Sequence, residues 1–141
     1  MNINEIQEEI IEEFSIYDDW MDKYNYLIEL GKNLKTIDTA HKTEEYIIKG
    51  CQSKVWIDAE LVDGKIIYAA DSDAIITKGI IALLLRVVSN NTPQEILDND
   101  LFFIEKIGLK ENLSPTRANG LLAMIKQIRL FALAYQAKLN A

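Results

Sequence analysis

Apolar residues recur along the first thirty positions at the spacing of helical turns. Ile3, Ile6, Ile10 and Phe14 fall on one stripe, with Asn2 or Asn4 available as a cap, and predict an amphipathic helix. A second stripe, Trp20, Tyr24, Leu27, Ile28 and Gly31, predicts a helix from about Ile16 to Lys32, closed at its C-terminal end by Gly31. The period is lost from Asn33 to Lys49, a long connection of the kind that often carries function. Alternation then replaces helical spacing. Val55 to Val62 and Lys65 to Ala70 flank Asp63-Gly64, a dipeptide that accepts the positive φ angles of a two-residue turn, and together predict a β-hairpin. Pairing across this turn sets Leu61 opposite Ile66, Ala59 opposite Tyr68 and Ile57 opposite Ala70, with Asp58 and Glu60 on the other face. Trp56 and Tyr68 read as packing residues.

The remainder is helical. A nearly all-apolar stretch from about Ala74 to Val88 predicts a buried helix capped by Ser72 or Asp73, with Gly79 allowing close packing on the sheet. Thr92-Pro93 opens a short helix through Leu97, and Leu101 to Ile107 forms another before Gly108. Ser114-Pro115 supplies a cap and an N1 proline for a last helix that turns Leu121, Leu122, Ile125, Ile128, Ala132 and Tyr135 toward the core. The expected fold class is α+β, a small antiparallel sheet packed against helices on one face and at its ends.

Composition narrows the function. The 141 residues are 49% apolar and 9% aromatic, enough for one domain, residues 1–141, with a real core. Fifteen basic and 22 acidic residues give a net charge of −7, which repels a phosphate backbone and disfavours nucleic acid as a partner. Glu5, Glu8, Glu9, Glu12 and Glu13 are the opposite of a secretory leader, and the longest apolar run, Gly79 to Leu85, is interrupted by Arg86, so no membrane segment is expected. The lone cysteine excludes an internal disulfide and fits a reducing cytoplasm. One cysteine and one histidine cannot supply the ligands of a zinc site or an iron–sulfur cluster, so neither metal nor cofactor is expected.

That cysteine, Cys51, is the leading candidate for chemistry. It stands in Gly50-Cys51-Gln52-Ser53, between a glycine and polar residues, at the end of the long connection and beyond the far end of the hairpin, near Asp71-Ser72-Asp73. Carboxylates nearby would raise the pKa of its thiol and a helix N-terminus would lower it. Arg117 falls in the first turn of the last helix, where the macrodipole disfavours a cation; it is either a surface residue or a binder of a partner carboxylate or an anionic sulfur. Asp71 and Asp73 suit turn and cap positions. His41 would complete a Cys–His nucleophilic pair, as in a thiol hydrolase, although no orienting residue is evident from spacing.

Gly50-Cys51-Gln52-Ser53-Lys54-Val55-Trp56 resembles the signature of the SufE family, sulfur acceptors that work with a cysteine desulfurase. Asp71-Ser72-Asp73-Ala74 with Lys78-Gly79, Thr92-Pro93, and Ser114-Pro115-Thr116-Arg117-Ala118-Asn119-Gly120-Leu121 extend the resemblance over the chain. It implies a fold shared with NifU-like scaffolds and a persulfide relay. A SufS-type, pyridoxal-phosphate-dependent desulfurase takes sulfur from free cysteine, Cys51 accepts it, and an iron–sulfur assembly scaffold receives it. The resemblance further implies Arg117 as the second site residue, in docking or in steadying the loop of Gly50, Gln52 and Ser53, with Asp71 and Asp73 as weaker supports. Tyr46-Ile47-Ile48-Lys49 departs from the valine and proline that family members often carry before the glycine. A non-catalytic interaction module of the same fold is the alternative. The glycine before Cys51 also leads us to expect a loop that tucks the side chain toward an apolar cavity and turns outward on docking.

Overall fold

The structure is a computed structural model describing residues 1–34 and 36–140. Helices α1 (Ile3–Ser15) and α2 (Trp20–Lys32) precede the hairpin β1 (Val55–Val62) and β2 (Lys65–Ser72). Helices α3 (Ile75–Val88), α4 (Pro93–Asp98), α5 (Phe103–Lys106) and α6 (Pro115–Leu139) follow. Helix α1 begins where expected, because Asn2 and Glu5 form a reciprocal capping box. Helix α2 starts later than its apolar stripe suggests. Asp19 accepts from the Asp22 N–H at 2.9 Å and fixes the start at Trp20, while Ile16 stays exposed as the C-cap of α1.

The hairpin has the expected register, with Leu61 opposite Ile66, Ala59 opposite Tyr68 and Ile57 opposite Ala70. Asp63 and Gly64 carry φ angles of 52° and 81°, as a two-residue turn demands. The inner face buries Val55, Ile57, Ile66, Tyr68 and Ala70 against the helices. Tyr68 satisfies its hydroxyl by donating to the Ile128 carbonyl of α6 at 2.9 Å. Strand β2 runs two residues beyond Ala70, so Asp71 and Ser72 belong to the sheet.

Helix α3 is the hub, and its closest neighbour corrects two expectations. Gly79 meets α2 rather than the sheet: a Cβ built on it would lie 2.2 Å from the Leu27 carbonyl oxygen. Gly31 is the reciprocal position, inside α2 and not at its cap, where a Cβ would stand 3.0 Å from the Gly79 nitrogen. Two glycines therefore let the two backbones touch. Neither Ser72 nor Asp73 is the N-cap of α3; that place belongs to Ala74, without a side-chain bond. Both side chains face the cysteine loop instead, as described below. Along α6 the core face is Leu121, Met124, Ile128 and Ala132, whereas Leu122 lies one position round the helix and is exposed. Arg86 of α3 ties down α1 through Glu13 at 2.8 Å and Glu9 at 2.5 Å.

Candidate functional site

The connection before Cys51 is a strap across the outer face of the hairpin. It leaves α2 alongside β2, where the Ile37 N–H donates to the Ala70 carbonyl at 3.2 Å, and it reaches the other edge where Ile48 donates to Val55 at 2.8 Å. Between these pins lie two short 3₁₀ turns, Thr39–His41 and Glu44–Tyr46, whose side chains grip the sheet. His41 Nδ1 pairs with Asp58 at 2.8 Å and its ring stacks on Tyr46. Lys42 reaches Asp71 at 2.5 Å and lies over the ring of Trp56, the cross-strand partner of Asp71.

Asp71 is thus a structural keystone beneath the strap. It is 6% exposed, accepts from the Ser72 N–H at 2.8 Å, and pairs with Lys78 of α3 at 3.2 Å as well as with Lys42. Burial works to raise its carboxyl, but Lys42, the Ser72 N–H and Lys78 outweigh it and hold the group below the ordinary carboxylate range. A depressed folded value means the stabilisation is complete above the unfolded aspartate value of about 3.9 and is lost as pH falls through the folded one. Asp71→Asn is expected to cost about 2 kcal/mol at neutral pH and to flatten the loss of stability below about pH 4. Urea unfolding of both proteins at the two pH values checks this, and equal stability at neutral pH would count against it.

The strap delivers the chain to Gly50, whose φ of +96° turns it sharply into the cysteine loop. The loop is closed behind Cys51 by Lys54. The Lys54 N–H donates to Asp73 at 3.0 Å, and its carbonyl accepts from the Asp73 N–H at 3.2 Å and from the Ser72 hydroxyl at 2.9 Å. Asp73 and Ser72, unused as helix caps, are the clasp of this loop. Neither Asp71 nor Asp73 lines the cavity at Cys51.

Cys51 itself is half-buried and its Sγ donates to the Gly120 carbonyl of α6 at 3.7 Å. It opens on a cavity of about 320 Å³. Ile80 and Met124 give this cavity apolar lining; Thr77 of α3 and Ser114, Thr116 and Arg117 at the start of α6 give it polar lining, with Gln52 and Ser53 on the loop side. The lining is therefore mixed, not the apolar pocket expected. Arg117 is exposed, forms no ion pair among the described residues, and is the only charged residue of the lining. The fold brings Cys51, Gln52, Ser53 and Arg117 together and leaves His41 apart, in a different cavity with Asp58 and Glu60. A Cys51–His41 pair is not assembled. Thr77 and Met124 join the site without having been singled out in the sequence, and Thr116 had figured only within the motif that opens the last helix; the only signal for Thr77 was a hydroxyl in a mostly apolar helix.

Burial pushes the Cys51 thiol above its ordinary value, and donation to a carbonyl also favours the protonated form. Both favour the neutral thiol over the thiolate in the resting protein. Alkylation of the isolated protein by iodoacetamide is expected to be slow at pH 7 and to keep accelerating past about pH 8.5, the value of a free thiol. A rate that levels off below that pH would contradict this reading.

A family described as the SufE Fe-S metabolism associated domain matches residues 8–132. The chain belongs to the SufE family. An uncharacterized SufE-like protein of Rhizobium meliloti is 41% identical over 129 residues, covering 86% of this chain and 91% of that protein. Another from Synechocystis is 39% identical over 127 residues, covering 90% and 80%. The solution structure of a hypothetical protein from Thermus thermophilus superposes with a TM-score of 0.77 at 19% identity, covering 94% of this chain and 96% of that one, a likeness of fold. The α+β architecture is thus a SufE-like fold, and membership associates the chain with iron–sulfur metabolism. Among the described residues, no helix is long and apolar enough to cross a membrane.

Proposed function

We propose that this SufE-family protein is a sulfur acceptor and carrier, with Cys51 as the group that holds the sulfur. The observation that carries the reading is the half-buried Cys51 on a clasped, glycine-turned loop, opening on a cavity with room for one more sulfur and rimmed by Arg117. The donor is the persulfide of a SufS-type, pyridoxal-phosphate-dependent cysteine desulfurase. The Cys51 thiolate attacks the outer sulfur; the new S–S bond forms as the desulfurase S–S bond breaks, and the desulfurase thiolate leaves, taking up the proton Cys51 gave. No net oxidation occurs, and the outer sulfur then passes on to an iron–sulfur assembly scaffold. Because burial disfavours the thiolate at rest, acceptance is faster when the docked partner turns the loop outward or stabilises the thiolate.

Arg117 serves in docking, and Gly50, Gln52, Ser53 and Asp73 set the loop's conformation, with Asp71 acting through the strap. The whole chain, 1–141, works as one SufE-like unit in the cytoplasm. The protein is expected to raise the turnover of a SufS-type desulfurase, read as alanine formed from cysteine, and Arg117→Ala to require roughly tenfold more protein for the same effect, about the worth of a lost charged contact. An unchanged turnover on adding wild-type protein would remove the activator role.

A further inference from the structure

Thr77 lies in the first turn of α3 and is 7% exposed. A mid-helix threonine can return its hydroxyl to a carbonyl of the preceding turn, but three and four residues before Thr77 stand Ala74, the cap, and Asp73, outside the helix, so its hydroxyl needs another partner. Here the hydroxyl makes no hydrogen bond among the described residues. Nor is it sealed in: among the described residues, the buried, unpartnered polar side-chain atom without contact to open space is Trp56 Nε1. The space that Thr77 borders is the Cys51 cavity.

The same cavity is bordered by the first turn of the 25-residue helix α6, whose Ser114 cap takes up the Arg117 N–H at 3.3 Å. The positive end of that helix and the Arg117 side chain give this end of the cavity a field that favours negative charge. No carboxylate lines it. The free thiol makes little use of this field, since its Sγ donates to Gly120. A persulfide is different. Its outer sulfur extends about 2 Å beyond Sγ, it is a stronger acid than the thiol, and as an anion it needs donors rather than acceptors.

We propose that Thr77 is a contact residue for the sulfane sulfur of a Cys51 persulfide, donating its hydroxyl to the outer sulfur in this cavity. This rests on the carrier reading, but it can be tested without a desulfurase. Inorganic polysulfide loads the thiol directly. The Cys51 thiolate attacks a terminal polysulfide sulfur, an S–S bond forms as the polysulfide's own breaks, and a polysulfide one sulfur shorter departs with the electron pair.

Full-length wild type, Thr77→Val and Thr77→Ser are loaded in this way, and single-sulfur loading is confirmed by intact mass. Two readouts follow: the pH titration of persulfide absorbance and the rate of sulfur loss to a phosphine reductant. Thr77→Val keeps the shape and removes the donor. It is expected to raise the persulfide pKa by about one unit and to speed sulfur loss roughly tenfold, with Thr77→Ser close to wild type. Thermal unfolding of the unloaded proteins confirms that both variants fold; if Thr77→Val does not, Thr77→Ala takes its place as the variant lacking a donor. Identical titration and loss rates in wild type and the donor-lacking variant would overturn the proposal, as would failure of wild-type Cys51 to retain a polysulfide-derived sulfur. Retention from polysulfide but none from a desulfurase would instead sink the carrier reading and leave this site standing.

Discussion

Gly79→Ala is expected to destabilise the protein by about 3 kcal/mol, at the upper end of what overpacking a closed interior costs. The methyl group would arrive 2.2 Å from the Leu27 carbonyl oxygen and 2.7 Å from its carbon, well inside contact distance. These atoms are helix backbone and cannot swing aside as a side-chain tip would. Relief requires α2 and α3 to separate, which loosens the packing of Leu27 and of the buried leucines and isoleucines of α3. The higher helix propensity of alanine returns about 1 kcal/mol at most, so the sign is not in doubt. Gly31→Ala, with its nearest contact at 3.0 Å, should cost visibly less. Denaturant midpoints of the two variants beside wild type check the order; a Gly79→Ala protein as stable as wild type would show that the helices are not in backbone contact.

Cys51→Ser should abolish sulfur acceptance outright while leaving the fold and its stability nearly unchanged. The chain has no other cysteine to take over the role. A serine hydroxyl is close to isosteric and sits in a half-buried position, at the mouth of a cavity, where the smaller oxygen is tolerated and can be solvated. It cannot form an S–S bond. Loss of acceptance together with an unaltered melting temperature is therefore the expected pair of results, and a large drop in stability would mean that the cysteine had mainly a packing role.

Much of the scaffold was legible because local chemistry decided it. Asp63-Gly64 permits a single tight turn, and that turn fixes every cross-strand pair from Val62 and Lys65 outward. The caps at Asn2, Thr92 and Ser114 likewise announced three helices. Expectations went astray where the deciding partner lay far off in sequence. Gly31 looked like a helix terminator and Gly79 like a sheet contact, because each has its meaning only through the other. Ser72 and Asp73 looked like caps for α3 because nothing in the sequence shows that Lys54 offers both an N–H and a carbonyl across the loop.

The site divides in the same way. Cys51 and Arg117 stood out through their own local peculiarity, an isolated thiol beside a glycine and a cation in a helix's first turn, and the fold brings them to one cavity. Asp71 proved to be a buried ion-pair centre, because a strap with no periodicity of its own carries Lys42 onto it. Thr77 was passed over in an apolar run, where a single hydroxyl carries no pattern, and it gains significance only from the emptiness beside it.

The most direct test of Cys51 as the sulfur-accepting group is the intact mass of the protein after incubation with a SufS-type cysteine desulfurase and free cysteine, with Cys51→Ser treated alongside. Wild type should gain a sulfur-atom increment that a thiol reductant removes, and the variant should gain none. An unchanged wild-type mass, or an increment that persists in Cys51→Ser, would contradict it.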